Sequence, residues 1–500
     1  MSGWLENIFE KVKSLNTSID KYKEETVIQS LPSYTFVNRA KVLIEKGKFD
    51  EAEGILLKAL ELPQKDALVY KYLGAIYEKQ GKHDKCVEAY QTSAELNPQD
   101  KNVWQRLGFA LVTIGKYENA VKAFDNSNKV QPANSDTFTG WGMALMKQCK
   151  FAEAQGKFMD ATRFNKYNFT AVFLGAVMDI KLGMYDKAEM KLSFLANVCP
   201  NANNTFEFAR LKALKDDLES AIHYAKKSID FNKKMLPAYI LLGQVYTEKF
   251  DFENMIKIFE DAEKMELACS ALYYEWGKSL EKFNMLDEAK VRLLQALEQD
   301  NESMEIRAYL GLCCAERNEI EEAKKFLEKV IEHDTSQNKV AQQALAIINY
   351  EAGDLSKAME YFRTDDENSV NVYYLAKCYE QQNNDTKVKD CYEAAIRLNP
   401  YYAKAFVDYS RYLISKNEYS EAQRKLRKAL KNLPKNVLLL NLMFYVSYIL
   451  VKDNVCEYNV KETISFANTI EEIAPELFEY PEQKQELEKL LTDFQKENKF

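Results

Sequence analysis

The sequence predicts an all-α chain built from repeated pairs of antiparallel helices. Small or apolar residues recur in it with steps of 33 to 35 residues, apart from one step of 30. They stand at Ala52, Cys86, Ala120, Ala154, Ala188, Ala221, Met255, Ala289, Ala323, Ala358, Val388 and Ala422. The 500 residues also include only 16 glycines and 10 prolines, which favours helices with short connections. A fixed period of this length predicts about twelve stacked helix pairs.

The stretch from Asn102 to Pro132 shows the pattern most clearly. Its marked positions are Trp104, Leu107, Gly108, Leu111, Ala120, Phe124 and Pro132. Two antiparallel helices approach closely where small residues meet, here Gly108 and Ala120. Phe124, four residues after Ala120, lies on the same helix face and fills the remaining space. The spacing therefore predicts two helices with a turn near Gly115.

This pattern resembles the tetratricopeptide repeat family from about Ser33 to Pro434. The resemblance implies a right-handed superhelical solenoid of antiparallel helix pairs, with about twelve units and a degenerate last unit. It also implies that the first helix of each pair lines the inner face. Two stretches depart from the repeat pattern, at 199–215 and 364–370, and we expect a hinge or a change of pitch there.

Both ends of the chain should be atypical, because the terminal units of a solenoid expose one face to water. Residues 1–32 contain an amphipathic helical pattern that predicts a capping helix, with a partner-binding or membrane-surface helix as alternatives. Residues 435–500 should form the degenerate unit and a C-terminal capping helix. Within them we expect a helix over 437–451, a loop over 453–462, a partner helix over 463–473 and a last helix over 481–499.

Composition excludes several classes of function. The net charge is −8 and the pI about 5.4, so the basic stripe of a nucleic-acid-binding protein is not expected. Nine cysteines without a Cys-x2-Cys spacing, and three widely separated histidines, argue against a metal site. The sequence has neither an apolar run of 18 residues nor a secretory signal pattern. We therefore expect a soluble, intracellular, cytoplasmic protein that does not insert into membranes.

Motifs that would indicate catalysis are missing from the sequence. It has no Gly-rich phosphate loop, no Gly-x-Ser-x-Gly elbow, no His-Glu-x2-His pair and no kinase signature. Paired acidic residues such as Glu321 and Glu322 are typical of solvated helix faces. Because repeats and caps account for nearly all residues, we expect no enzymatic activity, no catalytic residue and no cofactor.

The inner face of the predicted array is the expected binding surface. We number positions from the glycine, or its equivalent, in the first helix of each pair. On a helical wheel, the inner face consists of the residues three and two positions before this residue and one, four and five positions after it. In the second to fourth repeats these positions hold Lys71, Tyr72, Arg106, Phe109, Val112, Met143 and Met146. Later repeats contribute Ile240, Leu241, Tyr274, Tyr309, Leu312, Tyr373 and Tyr374. Aromatic, Met and Arg side chains are enriched at interfaces, although the same residues could simply pack against the neighbouring repeat.

One subtype implied by the resemblance can be tested directly. Chaperone-tail binders of this family carry a carboxylate clamp with Lys and Asn at set inner-face positions. The first repeat here has Val37 and Lys41 at those places, and the second has Lys71 and Ala75. The clamp is therefore not expected, nor is the asparagine ladder of a related sugar transferase.

These observations predict a non-enzymatic scaffold for protein–protein interaction. Its concave groove would bind an extended or helical segment of a partner protein. The alternative is a structural subunit of a multiprotein complex that contacts its neighbours through its ends and convex face.

Overall fold

The computed structural model describes residues 33–333, 338–453 and 456–497. Those ranges contain 27 α-helices, one short 3-10 helix and no β-strand. The capping helix predicted for residues 1–32 lies outside the described residues. No helix within these ranges is both long and apolar enough to cross a membrane.

The chain divides into two compact units, Met1–Ser228 and Ile229–Phe500. The N-terminal unit contains six helix pairs, the last of which ends just beyond the boundary. Its helices are α1 (Ser33–Glu45), α2 (Phe49–Ala59), α3 (Ala67–Gln80), α4 (His83–Leu96), α5 (Lys101–Thr113), α6 (Tyr117–Val130), α7 (Ser135–Lys147), α8 (Phe151–Phe164), α9 (Phe169–Lys181), α10 (Tyr185–Val198), α11 (Ala202–Leu214) and α12 (Leu218–Phe231).

The C-terminal unit continues the same alternation through six further pairs. These are α13 (Leu236–Glu248), α14 (Phe252–Lys264), α15 (Ser270–Lys282), α16 (Leu286–Gln299), α17 (Met304–Glu316), α18 (Ile320–His333), α19 (Lys339–Glu351), α20 (Leu355–Phe362), α21 (Ser369–Gln381), α22 (Asp385–Leu398), α23 (Ala403–Ser415) and α24 (Tyr419–Asn432). The last helices are α25 (Val437–Asp453), α26 (Glu457–Ile473), the 3-10 helix Pro475–Leu477 and α27 (Pro481–Glu497).

Helices α1 to α24 form twelve consecutive pairs, so the predicted all-α array of helix pairs is confirmed. We number the pairs as repeats 1 to 12 and call the first helix of each pair its A helix and the second its B helix. Helices α25 and α26 pack together as a thirteenth pair, and α27 packs on α26.

The loop predicted over 453–462 was wrong in extent, because α26 already begins at Glu457. Cys456 caps this helix through its sulfur, which accepts a hydrogen bond from the Asn459 backbone nitrogen at 3.5 Å. Val460 and Ile464 are buried on the face that also carries Ala467. Because apolar residues at helical spacing already begin at Val460, the helix starts six residues earlier than predicted.

A residue with positive φ closes the turn between the A and B helices in each of repeats 1 to 12. These residues stand five positions before the recurring small residue, at 47, 81, 115, 149, 183, 216, 250, 284, 318, 353, 383 and 417. Five of them are glycines and four are asparagines, the residue types that tolerate the left-handed region best. Phe250 is a bulky exception, with φ of 53°.

Asp and Asn side chains begin many of the A helices. Asp66, Asp100, Asn134 and Asn168 each accept a hydrogen bond from a backbone N–H in the first turn of α3, α5, α7 and α9. Such caps satisfy donors that have no partner within the helix. They fix where each A helix starts and hence which of its residues face inwards.

In several repeats the close contact between the A and B helices has glycine at its centre. A Cβ added at Gly108 would lie 2.6 Å from the Phe124 ring, and one at Gly142 would lie 2.6 Å from the Phe158 ring. Phe124 and Phe158 are fully buried. The aromatic side chain of the B helix therefore occupies the space that a side chain on the A helix would need.

Neighbouring repeats pack through two kinds of contact. Within each unit, B helices pack on the A helix that follows, as α6 does on α7 and α8 on α9. A helices also touch the A helix of the next repeat, as α5 touches α7. The A helices thus form a continuous inner layer in each unit, on which the B helices lie.

Repeat 10 contains the shortest B helix of the array. α20 spans only 8 residues, and a turn from Arg363 to Asn368 leads from it to α21. The missing turn of helix accounts for the single step of 30 residues in the sequence period.

Candidate functional site

The inner-face residues predicted for repeats 2 to 4 lie together in the N-terminal unit. Lys71, Tyr72, Phe109, Val112, Met143 and Met146 are all partly buried, and Arg106 is exposed. The side chains come from three consecutive A helices, α3, α5 and α7. They form a partly buried, mainly apolar and aromatic stripe along the inner layer, which we call the N-terminal inner face.

Both cations of this face already have partners. The Lys71 ammonium lies 2.6 Å from a carboxylate oxygen of Asp100. Arg106 donates to Glu78 at 2.9 Å and to the Tyr90 hydroxyl at 3.4 Å. Burial of Tyr90 raises the pKa of its hydroxyl far above the usual value, so this group remains a hydrogen-bonding phenol. The N-terminal inner face is therefore apolar with internally compensated charges.

Phe109 lies at the centre of this face. Its ring meets Phe124 edge-on, with 5.2 Å between the ring centroids. A Cβ at Gly140, on the next A helix, would collide with both rings. Glycine at this inner-face position therefore lets Phe109 lie against α7.

The sequence reasoning missed a continuation of the stripe in repeat 5. Phe173, Leu174 and Val177 occupy the same inner-face positions of α9 and are partly buried there. Leu174 and Val177 belong to the same apolar cluster as Met143 and Met146. Reading Ala176 as the equivalent of the glycine would have found them.

The residues predicted for the C-terminal unit have different surroundings. Leu241, Leu312, Tyr373 and Tyr374 are buried, whereas Ile240, Tyr274 and Tyr309 are partly buried. The Tyr373 hydroxyl donates to Asp408 at 2.7 Å. Tyr274 and Tyr309 meet edge-on at 5.6 Å. Most of this set packs against protein, so we do not include it in the proposed binding surface.

Part of the inner side of the C-terminal unit is in contact with a distant turn of the same unit. The turn from Asn399 to Tyr402, between repeats 11 and 12, reaches the C-terminal ends of the A helices of repeats 7 to 9. The Asn399 side chain donates to the Lys282 carbonyl oxygen at 2.8 Å. Tyr401 stacks on Phe250 with 5.3 Å between ring centroids and meets Phe283 edge-on at the same distance. We call this contact the internal seal.

Two carboxyl groups lie beside the internal seal. Lys404, at the start of α23, donates a hydrogen bond to the Glu316 backbone carbonyl. The Glu316 residue is only 3% exposed, and its Oε1 has no hydrogen-bond partner among the described residues. Burial, together with the charge of Glu281, raises the pKa of Glu316 to about 8. Burial likewise raises the pKa of Glu281 to about 7, although Lys282 and Lys278 oppose this shift.

One group in the described part of the chain has metal-like spacing. It consists of Cys314, Glu319 and Glu322. The Lys290 ammonium, however, donates to both glutamates at 2.8 Å. Hydrogen bonds from Arg317 and Lys290 lower the pKa of Glu319 to about 2, and burial raises the pKa of the Cys314 thiol to about 12. An ion-pair network, with a protonated thiol beside it, thus explains this cluster.

The packed helix pairs and their inner layer define a helical-repeat scaffold for protein–protein interaction. A family model described as the Psidin N-terminal TPR repeats region matches residues 29–199. Tetratricopeptide repeat models match residues 282–348, 236–269 and 372–402. The chain belongs to the tetratricopeptide repeat family. Its fold family consists generally of non-catalytic scaffolds.

Three solved structures illustrate proteins with a similar fold. A chain of the APC/C hetero-tetramer Cut9–Hcn1 is 12% identical in sequence to this chain, with a TM-score of 0.49. The match covers 93% of this chain and 98% of the matched chain. Yeast Tom70 is 15% identical, with a TM-score of 0.36 and coverage of 81% and 98%. The pilF protein of Pseudomonas aeruginosa is 19% identical, with a TM-score of 0.37 and coverage of 44% and 97%. No curated protein matches the chain.

Proposed function

We propose that the N-terminal inner face binds an amphipathic segment of a partner protein. The observation that carries this proposal is the partly exposed apolar stripe that runs from Tyr72 through Phe109 and Met143 to Val177. Met side chains adapt to different apolar partners, and aromatic side chains provide large contact areas. Since Lys71 and Arg106 are already paired with Asp100 and Glu78, the stripe favours an apolar face over an acidic tail.

The second candidate function is that of a structural subunit that contacts its neighbours through the convex side. A specific observation favours it, because exposed apolar side chains cluster on the B helices of repeats 4 and 5. Met159, Met190 and Phe194 are exposed there, Met190 by as much as 76%. Met190 and Phe194, together with Tyr167, border a shallow, mainly apolar cleft of about 350 Å³. Exposed patches of this kind mark interaction sites.

A matched pair of triple variants separates the two functions. The inner-face triple variant replaces one Phe and two Met side chains of the N-terminal inner face with alanine, at Phe109, Met143 and Met146. The convex triple variant replaces the same types of side chain in the exposed patch on the B helices, at Phe194, Met159 and Met190. Peptides that bind the wild-type protein are first selected from a displayed random library and then measured against both variants by fluorescence anisotropy.

We expect the inner-face triple variant to weaken binding of the selected peptides at least tenfold, because buried apolar anchors carry most of the affinity. The convex triple variant should bind them within about twofold of the wild-type affinity. Far-UV circular dichroism melts verify that both variants remain folded. A library that yields no binder, or binders that only the convex variant loses, would refute the inner-face proposal, and the second result would support the structural-subunit function.

A further inference from the structure

The C-terminal unit contains a polar cavity that neither the repeat pattern nor the proposed function uses. It has a volume of about 230 Å³ and lies among α15, α17, α19, the short helix α20, the turn after it and the start of α21. Its wall includes Glu281, Tyr309, Gln343, Asp365, Asn368 and Asn371. Because this volume lies below the usual range for drug-sized ligands, the cavity suits a single functional group.

Some of the polar groups in the cavity wall bind one another. Gln343 and Asn368 exchange amide hydrogen bonds at 3.3 and 3.4 Å. The Asn368 side-chain oxygen also caps α21 by accepting from the Val370 nitrogen at 2.9 Å. These contacts hold the turn after α20 against α19 and leave the cavity open beside it.

Asn371 is the residue in the wall whose hydrogen bonding suggests that a ligand binds. Its amide nitrogen donates to the Asp365 carbonyl oxygen at 3.3 Å, whereas its amide oxygen has no hydrogen-bond partner among the described residues. Asn371 is only 5% exposed. A buried acceptor without a donor costs about 1 to 3 kcal/mol, so a donor that enters the cavity would recover this free energy.

The charges of the wall indicate the sign of that donor. Two acidic residues, Glu281 and Asp365, line the cavity together with one basic residue, Lys339, whose side chain is exposed. The lysines nearest to Glu281 on its own helix already pair elsewhere, Lys278 with Glu275 at 3.1 Å and Lys282 with Glu248 at 2.8 Å. The wall is therefore rich in acceptors and has an excess of negative charge once Glu281 ionises.

We propose that this cavity binds a guanidinium group, either of a small molecule or of an arginine side chain in a partner. A guanidinium is planar, permanently charged and carries five N–H donors. It would offer donors to the Glu281 and Asp365 carboxylates, to the Asn371 amide oxygen and to the Tyr309 hydroxyl at once. An ammonium has three donors and satisfies fewer of these acceptors.

Binding should depend on pH through Glu281. Burial raises the pKa of this group to about 7, with Lys282 and Lys278 on α15 opposing the shift. The Glu281 carboxyl group also interacts with Tyr309, Cys313 and Glu316 of α17 and with Tyr402, which precedes α23. The charge of Lys404 acts on Glu316. A bound cation favours the ionised carboxylate. The affinity should therefore rise about tenfold between pH 6 and pH 8, with release of a proton.

The test uses the full-length protein and isothermal titration calorimetry. The probes are methylguanidinium for a free ligand and acetyl-Gly-Arg-Gly-amide for a side chain in a partner, with the citrulline and lysine peptides as comparisons. We expect binding of at least one guanidinium probe, no detectable heat with citrulline, and weaker binding of lysine. Binding of methylguanidinium without the arginine peptide would assign a small-molecule ligand, and tighter binding of the arginine peptide would assign a partner side chain.

Two variants assign the binding to the cavity. Glu281→Gln should weaken binding at least tenfold at pH 8 and abolish its pH dependence, whereas the exposed Glu305→Gln should change neither. Asn371→Ala should weaken binding independently of pH, with a thermal melt to show that it is folded. Equal binding of arginine and citrulline, tighter binding of lysine, binding that Glu281→Gln leaves intact, or no binding of either guanidinium probe would overturn the proposal. Since none of these residues belongs to the N-terminal inner face, the outcome is independent of the proposed function.

Discussion

Gly142→Val should lower the free energy of unfolding by about 3 kcal/mol or more. A Cβ at Gly142 would lie 2.6 Å from Cε1 and 2.9 Å from Cδ1 of Phe158, which is fully buried. The ring cannot retreat because the B helix holds it in the apolar cluster of repeats 4 and 5. Urea denaturation followed by far-UV circular dichroism measures the loss.

Repeat 4 provides its own control, because Gly156 lies within α8 and a Cβ there would meet nothing within 4 Å. Gly156→Ala should therefore stabilise the protein by about 0.5 to 1 kcal/mol, the usual gain for this exchange in a helix. Gly142→Ala, the same chemical change, should destabilise it. Combining Gly142→Val with Phe158→Ala should cost less than the sum of the two, because the second change removes the obstacle. Strictly additive effects would contradict the steric explanation.

Raising the pH from 5 to 8.5 should destabilise the C-terminal unit by about 4 kcal/mol through Glu316 alone. Burial and the nearby Glu281 charge raise the pKa of Glu316 to about 8, from an ordinary value of 4.5. Between these two values the folded protein holds a proton that the unfolded chain has lost. The stabilising contribution is therefore complete below pH 4.5 and disappears as the pH rises through about 8. Lys404 and Glu281 face the same carboxyl group, with opposite effects on its ionisation.

Glu316→Gln removes the titrating group and should flatten this pH dependence. The variant should match the wild type near pH 5 and be more stable than the wild type at pH 8.5, because it no longer buries an ionised carboxylate. Glu305→Gln, on the exposed side of the same helix, should follow the wild-type curve. Urea midpoints at pH 5.0, 6.5 and 8.5 provide the comparison. An unchanged slope in Glu316→Gln would show that other groups determine the pH response.

The sequence period predicted which residues of the N-terminal unit share one face, because helix geometry relates each inner-face position to the glycine of its own A helix. It placed Phe109 and Met143 on this face. Phe173 and Val177 were missed because Ala176 stands where the template has glycine. The exposed fraction of these side chains could not be predicted from the sequence, because it depends on how closely the next A helix approaches. Gly140 brings α7 against Phe109, and its effect is visible only in three dimensions.

The cavity in the C-terminal unit could not be predicted from the period at all. Its lining residues come from four A helices and from the turn after a shortened B helix. The sequence marked 364–370 only as a departure from the pattern. Gln343 and Asn368 bind each other across that turn. These tertiary contacts, which leave the Asn371 amide oxygen without a partner among the described residues, could not be read from the sequence.

The amino-acid sequence by itself determined the number of repeats, the alternation of A and B helices and the packing within each repeat. These features follow from spacings of less than 35 residues, where helical periodicity, a left-handed turn residue and a small residue opposite an aromatic one act locally. The tertiary structure alone decided which inner-face residues remain accessible. The Asn399 side chain meets the Lys282 carbonyl across 117 residues. Such a contact depends on the summed packing angles of every repeat between them, which no local pattern specifies.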